Sequence, residues 1–392
     1  MTSSPSQRVV LLCNSVLLSL GVFVMAVPER SHASDPDIPR LQVDAERGSV
    51  KHEIELGAAY FAGRGVPQDD KRAAYWYEKA ANAGDPGAQK QIGYFYEVGI
   101  GVTRDPAKAV RWYERAVSGG LISAKVDLGV AYLVGEAVRK DPGLAEQLFR
   151  EAFAQGDGRG ACFLGEMYFQ GLGVQRDDAA AERWYEAGAK LHDPRAQFQL
   201  ANLLWHRSND GSNLKRVTRL MRESAVAGLV AAKHQLAIIL VKNPELAASP
   251  QEAATLLKEA AEAGEWRSSV ALGVISRDGL GVPVDSKAAY YHYRVAALQG
   301  GDEASRVVAN DLDAISARLG PEQAAAIDLE AEAFAANHHV ALQFVNKNGA
   351  RWKDYPTYAV VNPEEGAYAG RVIPTPSSDY LKSQSDGKHS NH

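Results

Sequence analysis

The apolar positions of this chain fall on two alternating helical stripes. Ala88, Ile92, Phe95 and Tyr96 stand at i, i+4, i+7 and i+8, one face of a helix. Ala109, Trp112, Tyr113 and Ala116 make the stripe of a second helix soon after. Between them lies Gly99-Ile100-Gly101-Val102, whose glycines permit the positive φ needed where a helix stops and the chain turns. The pattern predicts a helix–loop–helix unit from Gly87 to Gly120, with Asp105, just before Pro106, opening the second helix.

This unit recurs. Gly57, Gly93, Gly129, Gly165, Ala201, Ala237 and Gly273 stand 36 residues apart, each preceded by Leu or Ile. In the same register run the loop glycines (Gly63 and Gly65, Gly99 and Gly101, Gly171 and Gly173, Gly279 and Gly281). So do a loop valine (Val66, Val102, Val138, Val174, Val282) and an acid (Asp69, Asp105, Asp141, Asp177, Asp285). The second helix carries Trp76-Tyr77, Trp112-Tyr113 and Trp184-Tyr185, relaxing to Leu148-Phe149, Leu220-Met221, Leu256-Leu257 and His292-Tyr293. A closing glycine ends each unit, except at His192. A repeat of this length predicts a solenoid, because one unit cannot bury its apolar faces alone and must stack on its neighbours. The small residue at the Gly57 column lets two helices approach closely, and the Trp and Tyr of the second helix fill the seam between units. Tyr60, Tyr96, Tyr132 and Tyr168 are expected to fill space and offer a hydroxyl to a loop carbonyl.

Leu56-Gly57, Tyr60, Gly63-Arg64-Gly65-Val66, Asp69, Ala73, Trp76-Tyr77, Ala80-Ala81 and Gly84 together resemble the Sel-one-like repeat family, a relative of the tetratricopeptide repeat. Ile92-Gly93 through Gly120 and Leu164-Gly165 through Ala189 match the same pattern. The resemblance implies an all-α, right-handed α/α superhelical solenoid and a role as a protein-interaction scaffold. It does not name an activity.

Two units depart from the pattern while keeping its register. Residues 205–213 and 241–250 replace the Gly-x-Gly-Val loop. Loops on one side of a solenoid commonly make its contacts. Trp205, His206, Arg207, Asn209, Asp210, Lys242, Asn243 and Glu245 are therefore the candidate partner-binding residues, against the alternative that these surface loops have simply drifted. The expected organisation is an export signal at 1–33, a lead-in or cap at 34–49, and seven repeats at 50–300. Capping helices follow at 301–339, and an extended or disordered tail at 340–392.

The N-terminus supports that division. Arg8 precedes a long apolar run from Val9 to Val27, and Ser31-His32-Ala33 offers small residues for cleavage. The alternative is an uncleaved inner-membrane anchor carrying periplasmic repeats, and only that form would associate with a membrane. Loss of Cys13 with the signal would leave Cys162 as the one cysteine, with no internal disulfide. A net charge of -5 argues against a nucleic-acid partner.

No motif points to catalysis, a cofactor or a metal. Asp69-Asp70 and Asp177-Asp178 sit at helix starts, where capping explains them. His338-His339 lacks a zinc-spaced companion. The Gly-rich loops lie between helices and lack the Gly-Lys-Ser/Thr of a phosphate loop. The sequence thus predicts a periplasmic or secreted scaffold binding a protein or peptide. A carbohydrate- or peptidoglycan-binding module and a hydrolase of unknown type are the alternative readings.

Overall fold

A computed structural model describes residues 37–207 and 212–338, and every regular element among them is helical. The N-terminal segment 1–33, residues Asn209 and Asp210, and the tail 340–392 lie outside the described residues. The chain divides into two compact units, one running to Ala196 and the other from Gln197.

In the first unit, helix α1 (Ile38–Glu46) precedes four antiparallel pairs. These are α2 (Val50–Ala62) with α3 (Asp70–Asn82), α4 (Pro86–Val98) with α5 (Pro106–Ser118), α6 (Ile122–Val134) with α7 (Pro142–Ala154), and α8 (Gly158–Gln170) with α9 (Asp178–Lys190). Helix α10 (Pro194–Arg207) begins at its end. The second unit contains α11 (Leu214–Val226), α12 (Val230–Lys242), a 3-10 turn (Pro244–Leu246), α13 (Glu252–Glu262) and α14 (Trp266–Asp278). It closes with α15 (Ser286–Leu319) and α16 (Pro321–His338). Helix α15 breaks at Gly301 (φ 60, ψ -142), and beyond the break Val308 and Ile315 bury against the same core as Val270 and Tyr293.

The repeated aspartate sets where the second helix of five repeats begins. Asp69, Asp105, Asp141 and Asp177 accept the backbone N–H three residues on, at 3.0, 2.9, 3.0 and 2.9 Å. This satisfies one of the donors that a helix start leaves open. The same aspartates close the loop from its other side. Their own N–H groups donate to the carbonyls of Tyr60, Tyr96, Tyr132 and Tyr168 at 2.8–2.9 Å.

That geometry corrects the expected role of the tyrosine column. The loop is held by the tyrosine's backbone oxygen, which the end of its helix leaves without a partner. The hydroxyls reach charged side chains instead. Tyr96 donates to Glu78 at 2.8 Å, Tyr168 to Glu146 at 3.3 Å, and Tyr60 accepts from Arg72 at 3.0 Å. Because the backbone carries the contact, Ser276 serves equally well, accepting from Asp285 at 2.8 Å.

Within each pair, the column glycine forms a notch for the aromatic ring twenty residues later. A Cβ built at Gly57 would stand 3.2 Å from the Tyr77 ring, at Gly93 2.7 Å from Tyr113, at Gly129 2.6 Å from Phe149 and at Gly165 2.5 Å from Tyr185. The ring then faces outward from its own pair as well: Tyr77 meets Phe95 of the next pair edge-on, with centroids 5.5 Å apart. Where the column holds Ala237, the residue twenty positions on is the fully buried Leu257, and Met221 holds that position after Ala201. The loss of the ring accompanies the gain of a methyl group.

A second glycine joins successive pairs. Gly101 has φ 66, and a Cβ there would run into the carbonyl of Asp70 at the start of the preceding second helix. A Cβ at Gly173 would run into the Pro142 ring, and one at Gly281 would stand 2.6 Å from the Pro250 carbonyl oxygen. At these three loops the chain seats on the start of the helix before it, too closely for a Cβ; the third unit holds the small Ala137 in this column, half-buried against the core.

Polar staples reinforce the pairs. Lys125–Glu151 (2.7 Å), Lys233–Glu259 (2.6 Å) and Gln197–Glu223 (2.9 Å) each link residues 26 apart. The first pair carries the same link with its signs exchanged, Glu53–Lys79 at 2.9 Å. Lys79 also donates to the Ala45 carbonyl at 2.8 Å, which ties α1 to α3.

Two stability measurements follow from this packing. Gly129→Ala should cost about 1–3 kcal/mol by overpacking Phe149. Combined with Phe149→Leu it should cost less than the sum of the two single changes, by about 1 kcal/mol in a denaturation cycle; strict additivity would refute the notch. His192 is the one non-glycine residue with positive φ among the described residues (φ 58), so His192→Gly should raise the melting temperature. The relief expected is about 1 kcal/mol.

Candidate functional site

The structure places the candidate residues on two turns. Trp205, His206 and Arg207 form the last turn of α10, with Trp205 half-buried and the other two exposed. Lys242, Asn243 and Glu245 cluster where α12 gives way to the 3-10 turn. Asn243 acts locally, since its side chain donates to the Ile239 carbonyl at 2.9 Å and caps α12 where other units use a left-handed glycine. Glu245 is exposed on the 3-10 turn. It occupies the column of the joint glycines Gly101, Gly173 and Gly281.

Beside that turn lies a pocket of about 200 Å³ lined by Lys215, Thr218, Arg219, Arg222, Glu223 and Leu246. Leu246 stands in the loop-valine column. Arg222 is committed inward, donating to Glu252 at 3.0 Å and to the Leu246 carbonyl at 3.1 Å. Arg219 sits 3.9 Å from Glu223 with its side chain 70% exposed. Lys215, one helical turn away, is exposed. Sequence reading passed over these residues, although the run Lys215, Arg216, Arg219, Arg222 was visible in a chain of net negative charge.

The aromatic columns offer little open surface. Trp76 and Trp112 are buried, with Lys79 and Arg115 over their rings at 5.0 and 4.4 Å. Tyr75 is the exposed exception, edge-on to Trp76. Cys162 is buried, and burial pushes its thiol well above the usual range, away from the reactive thiolate. Among the described residues, no group of three or more His, Cys, Asp or Glu side chains could hold a metal ion.

The first unit also contains a chain of buried charges that the columns did not foretell. Asp127 on α6 lies 3.5 Å from Lys90 on α4 and 3.5 Å from Arg159 on α8. Arg159 pairs with Asp157 at 2.8 Å and donates to the Ser123 carbonyl at 2.8 Å. Burial lowers the Lys90 ammonium, with Asp127 opposing. Burial works in the same direction on Arg159, yet Asp127 and Asp157 hold its guanidinium above the ordinary value. The signs alternate across three first helices, so no buried charge lacks an opposite neighbour.

Nearby, Glu97 occupies a column that holds Phe61, Leu133 and Phe169 elsewhere. It accepts the Tyr113 hydroxyl at 2.6 Å. Arg104 donates to the Glu97 carbonyl at 2.9 Å and forks onto Glu136 at 3.0 and 2.7 Å. Burial raises the Glu97 carboxyl to about 7, helped by Asp127 and Glu136 and opposed by Tyr113 and Arg104. A folded-state value above the unfolded one means that the native state holds the extra proton. The stabilisation is fully present below the unfolded value near 4.5 and is lost as the pH rises through about 7. The melting temperature should therefore fall between pH 5 and 8 more steeply in the native chain than in Glu97→Gln. Parallel curves would remove Glu97 as the cause.

The repeat geometry agrees with a known family. The Sel1 repeat model matches residues 53–85, 86–121, 122–157, 158–193, 242–265 and 267–301. Three of its boundaries coincide with the starts of α4, α6 and α8 at Pro86, Ile122 and Gly158. No match was found among curated proteins. A Sel1 repeat protein from Oxalobacter formigenes is 26% identical, aligning 63% of this chain with 98% of its own at a TM-score of 0.51. A protective antigen of uropathogenic Escherichia coli with the same class of repeat fold is 24% identical over 79% of this chain and 73% of its own, at a TM-score of 0.39. Immunity protein Pa5087 from Pseudomonas aeruginosa is 19% identical over 57% of this chain and 81% of its own, at a TM-score of 0.36. The chain belongs to the Sel1 repeat family, a class of helix–loop–helix solenoids that serve as scaffolds for protein–protein interaction.

Proposed function

We propose that this chain is an exported scaffold of the bacterial envelope that holds a protein or peptide partner, in signalling or in the assembly of a complex. The apolar run at Val9–Val27, followed by Ser31-His32-Ala33, supports export. One observation carries the placement of the contact. The family pattern matches up to residue 193 and again from 242, and leaves 194–241 unmatched although the 36-residue register continues across it; this supports residues 205–210, while Lys242, Asn243 and Glu245 lie inside the next match and rest on the lost loop glycines. Retained register with altered loops is what a scaffold needs, since the frame stays stackable while one face acquires its own chemistry. Trp205, His206, Arg207, Asn209, Asp210, Lys242, Asn243 and Glu245 are the proposed contact residues, with Asn243 acting mainly through the cap that shapes its turn.

The test is a graft that preserves register: residues 97–105 in place of 205–213. Crosslinked partner recovered from the native envelope fraction should fall about tenfold or more, as for the loss of one strong contact cluster. The melting temperature should stay close to that of the native chain. Equal recovery would remove that segment from the interface.

A further inference from the structure

The pocket beside α11 has a physical origin. At Gly101, Gly173 and Gly281 the loop lies directly on the first turn of the preceding second helix, and a Cβ would collide there. Glu245 holds that column after α12, and a glutamate cannot make the same approach. The chain takes the 3-10 turn Pro244–Leu246 instead, and the joint over α11 stands open as the pocket. Its floor includes Leu246 and Thr218, and its rim carries Lys215 and Arg219.

We propose that this open joint receives an acidic, aliphatic-containing segment of the partner polypeptide. An aliphatic side chain fills the space above Leu246, and flanking carboxylates lie across Lys215 and Arg219. The proposal rests on the scaffold reading and names the chemistry of its partner. Charge complementarity selects the occupant. Arg222 is neutralised by Glu252, and Glu223 accepts from Gln197 at 2.9 Å while its other oxygen stands at a loose 3.9 Å from the largely exposed Arg219. That leaves two exposed cations on consecutive turns of one helix face, in a chain whose net charge is -5. Rim charges of this kind steer and select a partner, while the apolar floor supplies the buried contact. A purely polyanionic ligand would use the cations and leave Leu246 unused.

Fluorescence anisotropy on the full chain tests this with four probes: a short peptide of alternating Glu and Leu, an all-Glu peptide, a peptide of alternating Lys and Leu, and a single-stranded oligonucleotide. The Glu/Leu peptide should bind more tightly than the other three. Lys215→Glu with Arg219→Glu should weaken it by about tenfold or more without lowering the melting temperature, because both side chains are exposed. Glu245→Gly, which allows the loop to seat on α11, should weaken it comparably, as should Leu246→Asp. Equal binding of the Lys/Leu peptide, equal binding of the oligonucleotide, or unchanged affinity in both the Lys215/Arg219 and Leu246 variants would overturn the proposal. If the native chain captures its envelope partner through 205–213 but shows no peptide preference, this inference fails and the scaffold reading stands. Peptide binding with the stated variant pattern but no envelope capture would mean the reverse.

Discussion

An aromatic ring resting on a residue without a side chain sets the distance between the two helices of a unit. The notch at Gly93, Gly129 or Gly165 is deep enough for Tyr113, Phe149 or Tyr185 to lie where a Cβ would otherwise stand. Everything else in the unit follows from that spacing. The helix axes come close enough for a side chain at one end to reach its staple partner 26 residues on, as Lys125 reaches Glu151. The buried ring also presents its far edge to the next pair, as Tyr77 does to Phe95. One contact therefore fixes the pair and prepares the stack. The exchange of glycine for alanine at 237, with Leu257 in place of a ring, keeps the same volume by other means.

Stacking adds a second constraint, and it falls on backbone rather than side chain. In five repeats the loop is closed by an aspartate that caps the helix ahead of it and donates its own N–H to the carbonyl behind it. This double use explains why aspartate persists while the tyrosine column relaxes to Ser276. The joint glycine then lets the closed loop sit on the preceding helix. A unit is thus a rigid piece with two fixed contacts, and its remaining surface is free to vary.

Those constraints determine what the sequence could reveal. The glycine column, the aspartate column and the loop glycines repeat because backbone geometry admits few residues there, so they are legible without coordinates. The tyrosine column was misread because its recurrent feature is a carbonyl, which the side-chain alphabet does not display. The staples were visible in principle, since Glu53–Lys79 reverses the signs of Lys125–Glu151, but a pair 26 residues apart stands out only once the helices are known to be adjacent. The Lys90–Asp127–Arg159 chain leaves no periodic trace at all, because its members occupy three different columns on three helices. Glu97 left a different kind of signal: the one carboxylate in a column that holds Phe61, Leu133, Phe169, Trp205, Val241 and Arg277 elsewhere.

Asn243 and Glu245 show how the two kinds of information combine. Read as sequence, they mark a loop that has lost its glycines, and drift or function explains that equally well. Structure separates the two positions. Asn243 rebuilds a helix end by bonding to the Ile239 carbonyl, so the loss of its glycine is repaired. Glu245 sits where other units hold Gly101, Gly173, Gly281 or the small Ala137, and a side chain as long as glutamate leaves no room for the loop to seat on the helix below. An unrepaired joint leaves a cavity at a position that other units close, and cavities in packed structures are costly when they serve nothing. The persistence of register on both sides of this opening, with Ala232, Leu236, Ala237, Ile238, Ile239 and Leu240 buried, locates the change in the joint.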